Sequence, residues 1–301
     1  MYRRRTFIQA STGTMAAMLA GPVVGHVASG GESMNRRMTK AVKYGMVKPG
    51  STVQEKFQVL ATLGFDGVEL DSPNDLDTSE VIEASRSTGI PVHGVVCSEH
   101  WKSPLSDPDP EVRARCSRAI EVAINDAKSY GASSVLVVPA VVNQRTSYDQ
   151  AWQRSTEQLK AILPKAESAG IDIAIENVWN HFLLSPMEAA RYVDQFGSKR
   201  IGWYMDIGNI VNYGWPQQWV RILGHRIKKV DVKEYSRSRR DDEGLWKGFQ
   251  VELLEGDCNW PEVMKALDEI GYQGWMTAEI GGGDAQRLKV IADQMDRIIA
   301  S

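Results

Sequence analysis

Four segments in the second half of the chain share one pattern, an apolar run that stops on an acid. Residues 171–178 read Ile171-Asp172-Ile173-Ala174-Ile175-Glu176-Asn177-Val178, β-branched residues between the turn glycine Gly170 and a polar end. Such a run reads as a strand buried on both faces, the kind found in parallel sheets. The pattern returns in Ile201-Gly202-Trp203-Tyr204-Met205-Asp206, in Ile227-Lys228-Lys229-Val230-Asp231 and in Gly274-Trp275-Met276-Thr277-Ala278-Glu279. If the sheet closes on itself, Glu176, Asp206, Asp231 and Glu279 point at one mouth, and carboxylates gathered there need a cation.

From about residue 41 strand-like and helix-like stretches alternate. A first strand is expected at 41–47, and a helix from Thr52 carries Val53, Phe57, Leu60 and Leu63 at helical spacing before Gly64 closes it. Strands follow at 67–70, 91–97 and 134–138, with helices at 79–89, 111–130 and 148–169 between and after them. Ser185-Pro186-Met187-Glu188 has the cap, first-turn proline and early acid of a helix start. Helices are also expected at 217–223, from Trp260 and at 284–300, and residues 237–244 read as a charged, irregular insertion. Strand-helix pairs repeated in this way predict a (β/α)8 TIM barrel spanning 41–301 as one domain. The competing doubly wound sheet usually carries a glycine-rich phosphate turn after its first strand, and Met46-Val47-Lys48-Pro49-Gly50 offers none.

The N-terminus differs. Arg3-Arg4-Arg5-Thr6-Phe7-Ile8-Gln9 precedes a weakly apolar, small-residue stretch over 10–25, too short and polar for a stable membrane span. It resembles a twin-arginine export signal over residues 1–30, which implies a periplasmic or other extracytoplasmic location; a disordered basic tail is the plainer alternative. Removing its three arginines takes the formal net charge from −3 to −6, and an acidic chain has no footprint for nucleic acid. Cys97, Cys116 and Cys258 are an odd set without paired spacing, so neither a disulfide framework nor a thiolate zinc site is expected.

The ordered set Gly67-Val68-Glu69-Leu70, Ile175-Glu176-Asn177, Asp206-Ile207-Gly208-Asn209, Val230-Asp231-Val232-Lys233-Glu234 and Ala278-Glu279 resembles the sugar phosphate isomerase/epimerase family. These are xylose isomerase-like barrels that include ketose 3-epimerases and hydroxypyruvate isomerases. The resemblance implies one divalent metal, often manganese, held by Glu, Asp, His and Glu from strands five to eight, with the two glutamates also moving protons. By position Glu176, Asp206 and Glu279 match. The strand-seven ligand departs from the pattern, because Asp231 stands where the family has a histidine, and an all-oxygen set favours Mn or Mg over Zn. Asn209 stands where many epimerases carry a substrate-touching His, and Leu254-Glu255-Gly256 where Gly-Glu-Gly is common.

The resemblance implies a metal-dependent isomerase or epimerase of a small-molecule carbohydrate. A proton would leave the carbon next to a carbonyl through an enediolate, with Glu176 and Glu279 as catalytic acids and bases and Lys233 as a neutralising partner. Substrate contacts are expected from His100, Trp101, Asn177, Trp179, His181, Asn209 and Trp246, on the side where strand ends face the loops. Each has a plainer reading: a strand-end acid as a cap or salt-bridge partner, which for Glu69 weighs equally, a histidine as an exposed loop residue, a tryptophan as core. Asp231 could instead support the ligands from behind or pair with Lys233. Two rivals share the barrel: a lyase eliminating the C1 substituent of a 3-keto-glycoside, and a non-catalytic sugar-binding barrel. A zinc-cluster DNA endonuclease on such a barrel needs several histidines and a basic face, and is disfavoured in an acidic chain with four of its five histidines beyond the leader. Self-association into a homo-oligomer is compatible with the sequence.

Overall fold

A computed structural model describes residues 38–301; the proposed export signal lies outside the described residues. Eight parallel strands close into a barrel in sequence order. They are β1 Thr39–Lys43, β2 Gly67–Ser72, β3 Val92–Cys97, β4 Ser134–Val137, β5 Asp172–Glu176, β6 Ile201–Asp206, β7 Ile227–Val232 and β8 Trp275–Ala278. Around them run α1 Val53–Leu63, α2 Thr78–Thr88, α3 Pro110–Tyr130, α4 Tyr148–Ala169, α5 Pro186–Asp194, α6 Ile207–Val211, α7 Pro216–Leu223, α8 Arg237–Glu243, α9 Trp260–Glu269 and α10 Ala285–Ile299. Closure comes from β1 pairing with β8, Ala41 opposite Thr277.

The expected elements are present, with three differences. The first strand stops at Lys43 because the chain turns through Tyr44–Met46, where Val47 N–H donates to Tyr44 O at 3.1 Å. Asp206 ends β6 and also opens α6, its Oδ1 accepting from Asn209 N–H at 2.8 Å. The insertion expected to be irregular is helical over Arg237–Glu243, and Leu245–Phe249 adds a 3-10 segment. Ser236 caps α8 by accepting from Arg239 N–H, a local signal outweighed in the sequence by the run of charge.

Side chains alternate across each strand, so every strand serves two cores. On β4, Val135 and Val137 pack outward into the cluster shared with the helices. Leu136, between them, joins Ala174 and Tyr204 in a separate small cluster inside the barrel. A polar chain fills the rest of the lumen. Lys229 Nζ meets His93 Nδ1 at 2.8 Å, His93 Nε2 meets Thr277 Oγ1 at 3.1 Å, and Thr277 Oγ1 meets Tyr204 OH at 3.1 Å. Tyr204 OH then donates to Glu69 Oε1 at 3.0 Å. The Tyr204 proton is committed to Glu69, so Thr277 donates to Tyr204 and His93 donates from Nε2, which leaves Nδ1 to accept from Lys229. That direction needs a neutral imidazole, and burial followed by the Lys229 charge holds His93 well below the usual histidine range.

Candidate metal and active site

The strands deliver their terminal acids to one end of the barrel. Glu176, Asp206, Asp231 and Glu279 each bring a carboxylate oxygen within 4.8 Å of the others, Asp206 and Asp231 fully buried. Parallel pairing sets this: Asp206 is in register with Asp231, and Glu279 N–H donates to Val232 O at 3.1 Å, just past β8. Asn177, one residue beyond β5, clamps β6. Its Nδ2 donates to Asp206 O at 2.7 Å, and its Oδ1 accepts from Asp206 N–H and Trp203 Nε1–H, both at 3.0 Å.

Two lysines hold these acids together. Lys233 Nζ lies 2.8 Å from Asp206 Oδ2 and 3.1 Å from Glu279 Oε2. A Cβ on Gly208 would sit 2.9 Å from the Lys233 side chain, so the glycine is what lets the lysine cross α6. Lys43 Nζ lies 2.5 Å from Glu69 Oε2 and 3.1 Å from Asp231 Oδ2. Asp231 therefore pairs with Lys43, not with Lys233. The sequence reading missed Lys43 and weighed Glu69 evenly as a cap or salt-bridge partner; Glu69 is the buried counter-charge through which the lumen chain reaches the acids.

Burial, then Glu279 and Asp206, pushes Glu176 well above the usual carboxylate range. Burial, opposed by Lys43, does the same to Asp231, and burial opposed by Lys233 raises Asp206. For Glu279 burial is overcome by Lys233 and Lys43, which hold it down to about 2. Lys43 is driven well up, because Asp231, Glu69, Glu279 and Glu176 outweigh the cost of burying it. Two ammonium groups against five carboxylates leave the cluster short of positive charge. Asp231 Oδ1 is buried without a hydrogen bond, while Asp206 Oδ2 and Glu279 Oε2 share the Lys233 ammonium as their partner. Converging carboxylate oxygens, one of them buried and unpartnered, fit a hard divalent cation.

Above the acids lies a cleft with two lobes of about 490 Å³ each, which meet at Glu176, Glu279 and Trp101. His100 lines one lobe, buried, with Nδ1 accepting from Val138 N–H at 3.2 Å. Trp179, Asn209, Lys233 and Trp246 line the other, together with Phe249, which had not been singled out. Trp179 is fixed by its Nε1–H donating to Asn209 O at 2.8 Å. Asn177 lines neither lobe, its amide being committed to β6. His181 lies outside both, exposed and in a left-handed conformation at φ 59°.

The family model for the xylose isomerase-like TIM barrel matches residues 57–300. The L-ribulose-5-phosphate 3-epimerase UlaE of Escherichia coli O1:K1 / APEC is 28% identical over 233 residues, covering 73% of this chain and 79% of the relative. Among solved structures, a D-tagatose 3-epimerase-like protein superposes with a TM-score of 0.73 at 21% identity, covering 87% of this chain and 98% of its own. The 3-keto-D-glucoside 4-epimerase YcjR from E. coli superposes with a TM-score of 0.72 at 17% identity, covering 88% of this chain and 100% of its own.

Proposed function

The chain belongs to the xylose isomerase-like TIM barrel family, and from that premise we propose that it is a divalent-metal-dependent isomerase or epimerase of a carbohydrate carrying a carbonyl. The observation that carries this reading is the convergence of four carboxylate oxygens beside a sugar-sized cleft that Glu176 and Glu279 line, with Asp231 Oδ1 buried and unpartnered. Glu176, Asp206, Asp231 and Glu279 would hold the ion. The chemistry a divalent cation supplies in such a site is Lewis acidity toward a carbonyl oxygen, and the all-oxygen set suits Mn or Mg better than Zn. The chain supplies the proton handling. Glu176 and Glu279 are common to both lobes, so a sugar lying across their junction has a carboxylate at hand to take the proton next to the carbonyl and another to return it. Lys233, against Glu279, keeps an ammonium group near the oxygen that gains negative charge on proton loss. The epimerase relatives support the same reaction class.

A second reading uses the same first step. On a 3-keto-glycoside, loss of the C2 proton sets up elimination of the C1 substituent, and continuation of the cleft past the glutamates leaves room for that substituent. Incubating the Mn-loaded protein in D2O with free ketoses and 3-keto-glycosides separates the readings. Deuterium at the carbon next to the carbonyl, with epimer or isomer formed, is the expected result. Release of the C1 substituent favours the lyase; binding without exchange would leave a non-catalytic sugar-binding barrel.

The enzyme is further proposed to be exported folded by the twin-arginine route, on the strength of Arg4 and Arg5 in their sequence context. Arg4→Lys with Arg5→Lys is expected to leave an active precursor inside the cell, and continued efficient export would contradict the assignment.

A further inference from the structure

The two lobes differ in chemistry. One is lined by acids and their partners, Lys43, Glu69, Asp71 and His100. The other is aromatic. Trp179 lies 4.9 Å from both Trp246 and Phe249 by ring centroid, tilted 46° and 41° to them, and the three rings form one wall. Trp246 is 68% exposed, so a large apolar face borders the cleft with little of the protein covering it. Aromatic faces of this kind are suited to the apolar face of a sugar or aglycone ring.

The size of the cleft points the same way. A pocket for a drug-sized ligand runs to about 300–1,000 Å³. Each lobe alone, at about 490 Å³, lies in that range, and a single sugar ring placed over Glu176 and Glu279 leaves the second lobe unfilled. The charges argue against a phosphorylated sugar. Among the described residues lining the lobes, the lysines are Lys43 and Lys233, and each is already paired with two carboxylates. His100 accepts a hydrogen bond at Nδ1, as a neutral ring does. In the acidic lobe a phosphate would meet Glu69, Asp71, Glu176 and Glu279 with no uncommitted cationic side chain.

We propose that the substrate is a neutral two-ring glycoside. Its carbonyl-bearing ring lies over the glutamates and its second ring stacks on the wall of Trp179, Trp246 and Phe249. The inference rests on the isomerase reading above and narrows it to a substrate class.

The test is calorimetric titration of the full, Mn-loaded chain with methyl 3-keto-β-D-glucopyranoside, 3-keto-β-D-glucopyranosyl-glucose and L-ribulose 5-phosphate. The two-ring sugar is expected to bind about tenfold more tightly than the one-ring sugar, and Trp246→Ala to shrink that margin to about twofold or less. Trp246 is exposed, so its replacement removes a stacking face without opening the core. Equal affinity for one and two rings, tightest binding of the phosphate, or an unchanged margin in Trp246→Ala would overturn the proposal. Deuterium exchange in D2O is followed alongside. If no sugar exchanges while the two-ring margin persists and depends on Trp246, the isomerase reading fails and the two-ring subsite stands.

Discussion

Asp231, the strand-seven acid of the ring, is paired with Lys43, 3.1 Å away. The pair is buried, with Lys43 at 15% side-chain exposure and Asp231 at 0%. Removing one member of a buried pair costs about 3–5 kcal/mol, because the remaining charge stays desolvated. Lys43→Met should therefore destabilise the metal-free protein by about that much, and Lys43→Met with Asp231→Asn should recover part of the loss, as measured by urea denaturation of the double-mutant cycle. Additive losses would mean that the two groups are not coupled. Lys43 escaped the sequence reading because its partner is 188 residues away, and only closure of β1 onto its neighbours reveals the contact. The rule that found the acids, a charge at the end of an apolar strand, would have found it if applied to bases. His100 carries a second residue-level prediction. Burial, then the Lys43 charge, lowers it from 6.5 to about 4, and its Nδ1 must stay unprotonated to accept from Val138 N–H. Its folded value lies below its unfolded one, so the unfolded chain takes up the proton first. Stability from this group is complete above pH 6.5 and falls by about 3 kcal/mol as the pH drops to 4. Urea denaturation at pH 7 and pH 4.5 should show a smaller acid-induced loss in His100→Gln than in the parent, and equal losses would contradict the assignment.

Elements were more legible than their roles. Helix starts were announced by caps, Thr52 for α1 and Ser185 for α5, and the acid-ended strands by their burial on both faces. The segment after β7 was not legible, because its order comes from a buried side chain distant in sequence. Glu234, 1% exposed, accepts from Leu254 N–H at 2.9 Å, Cys258 N–H at 3.1 Å and Trp260 Nε1–H at 2.9 Å. It staples residues 254–260 to the end of β7. Glu234→Ala leaves those donors buried and unpaired and should cost about 3 kcal/mol, while Glu234→Gln keeps an acceptor and should cost less. Denaturation midpoints of the two variants check the order; equal losses would show that the carboxylate is not the staple. Asn177 and His181 show the same boundary. Residue type and a place after β5 put both forward as substrate contacts; the fold commits the Asn177 amide to β6 and leaves His181 exposed outside both lobes, placements set by neighbours distant in sequence.

At the scale of the molecule the barrel is an instrument for bringing charge together. Strands far apart in sequence end on one ring of acids, a polar chain of Lys229, His93, Thr277, Tyr204 and Glu69 fills the lumen beneath it, and Lys43 and Lys233 balance part of its charge. The ring remains deficient in positive charge, and the account rests on a divalent cation supplying it. Asp231 tests this most directly, since a carboxylate there makes all four donors oxygen. Calorimetric titration of the parent, Asp231→His and Asp231→Ala with Mn and with Zn is the decisive measurement. The account predicts one ion per chain in the parent with Mn preferred over Zn, a relative gain for Zn in Asp231→His, and a loss of at least about tenfold in Mn affinity for Asp231→Ala. Identical affinities in all three proteins would show that Asp231 never touches the metal and would contradict the four-acid site.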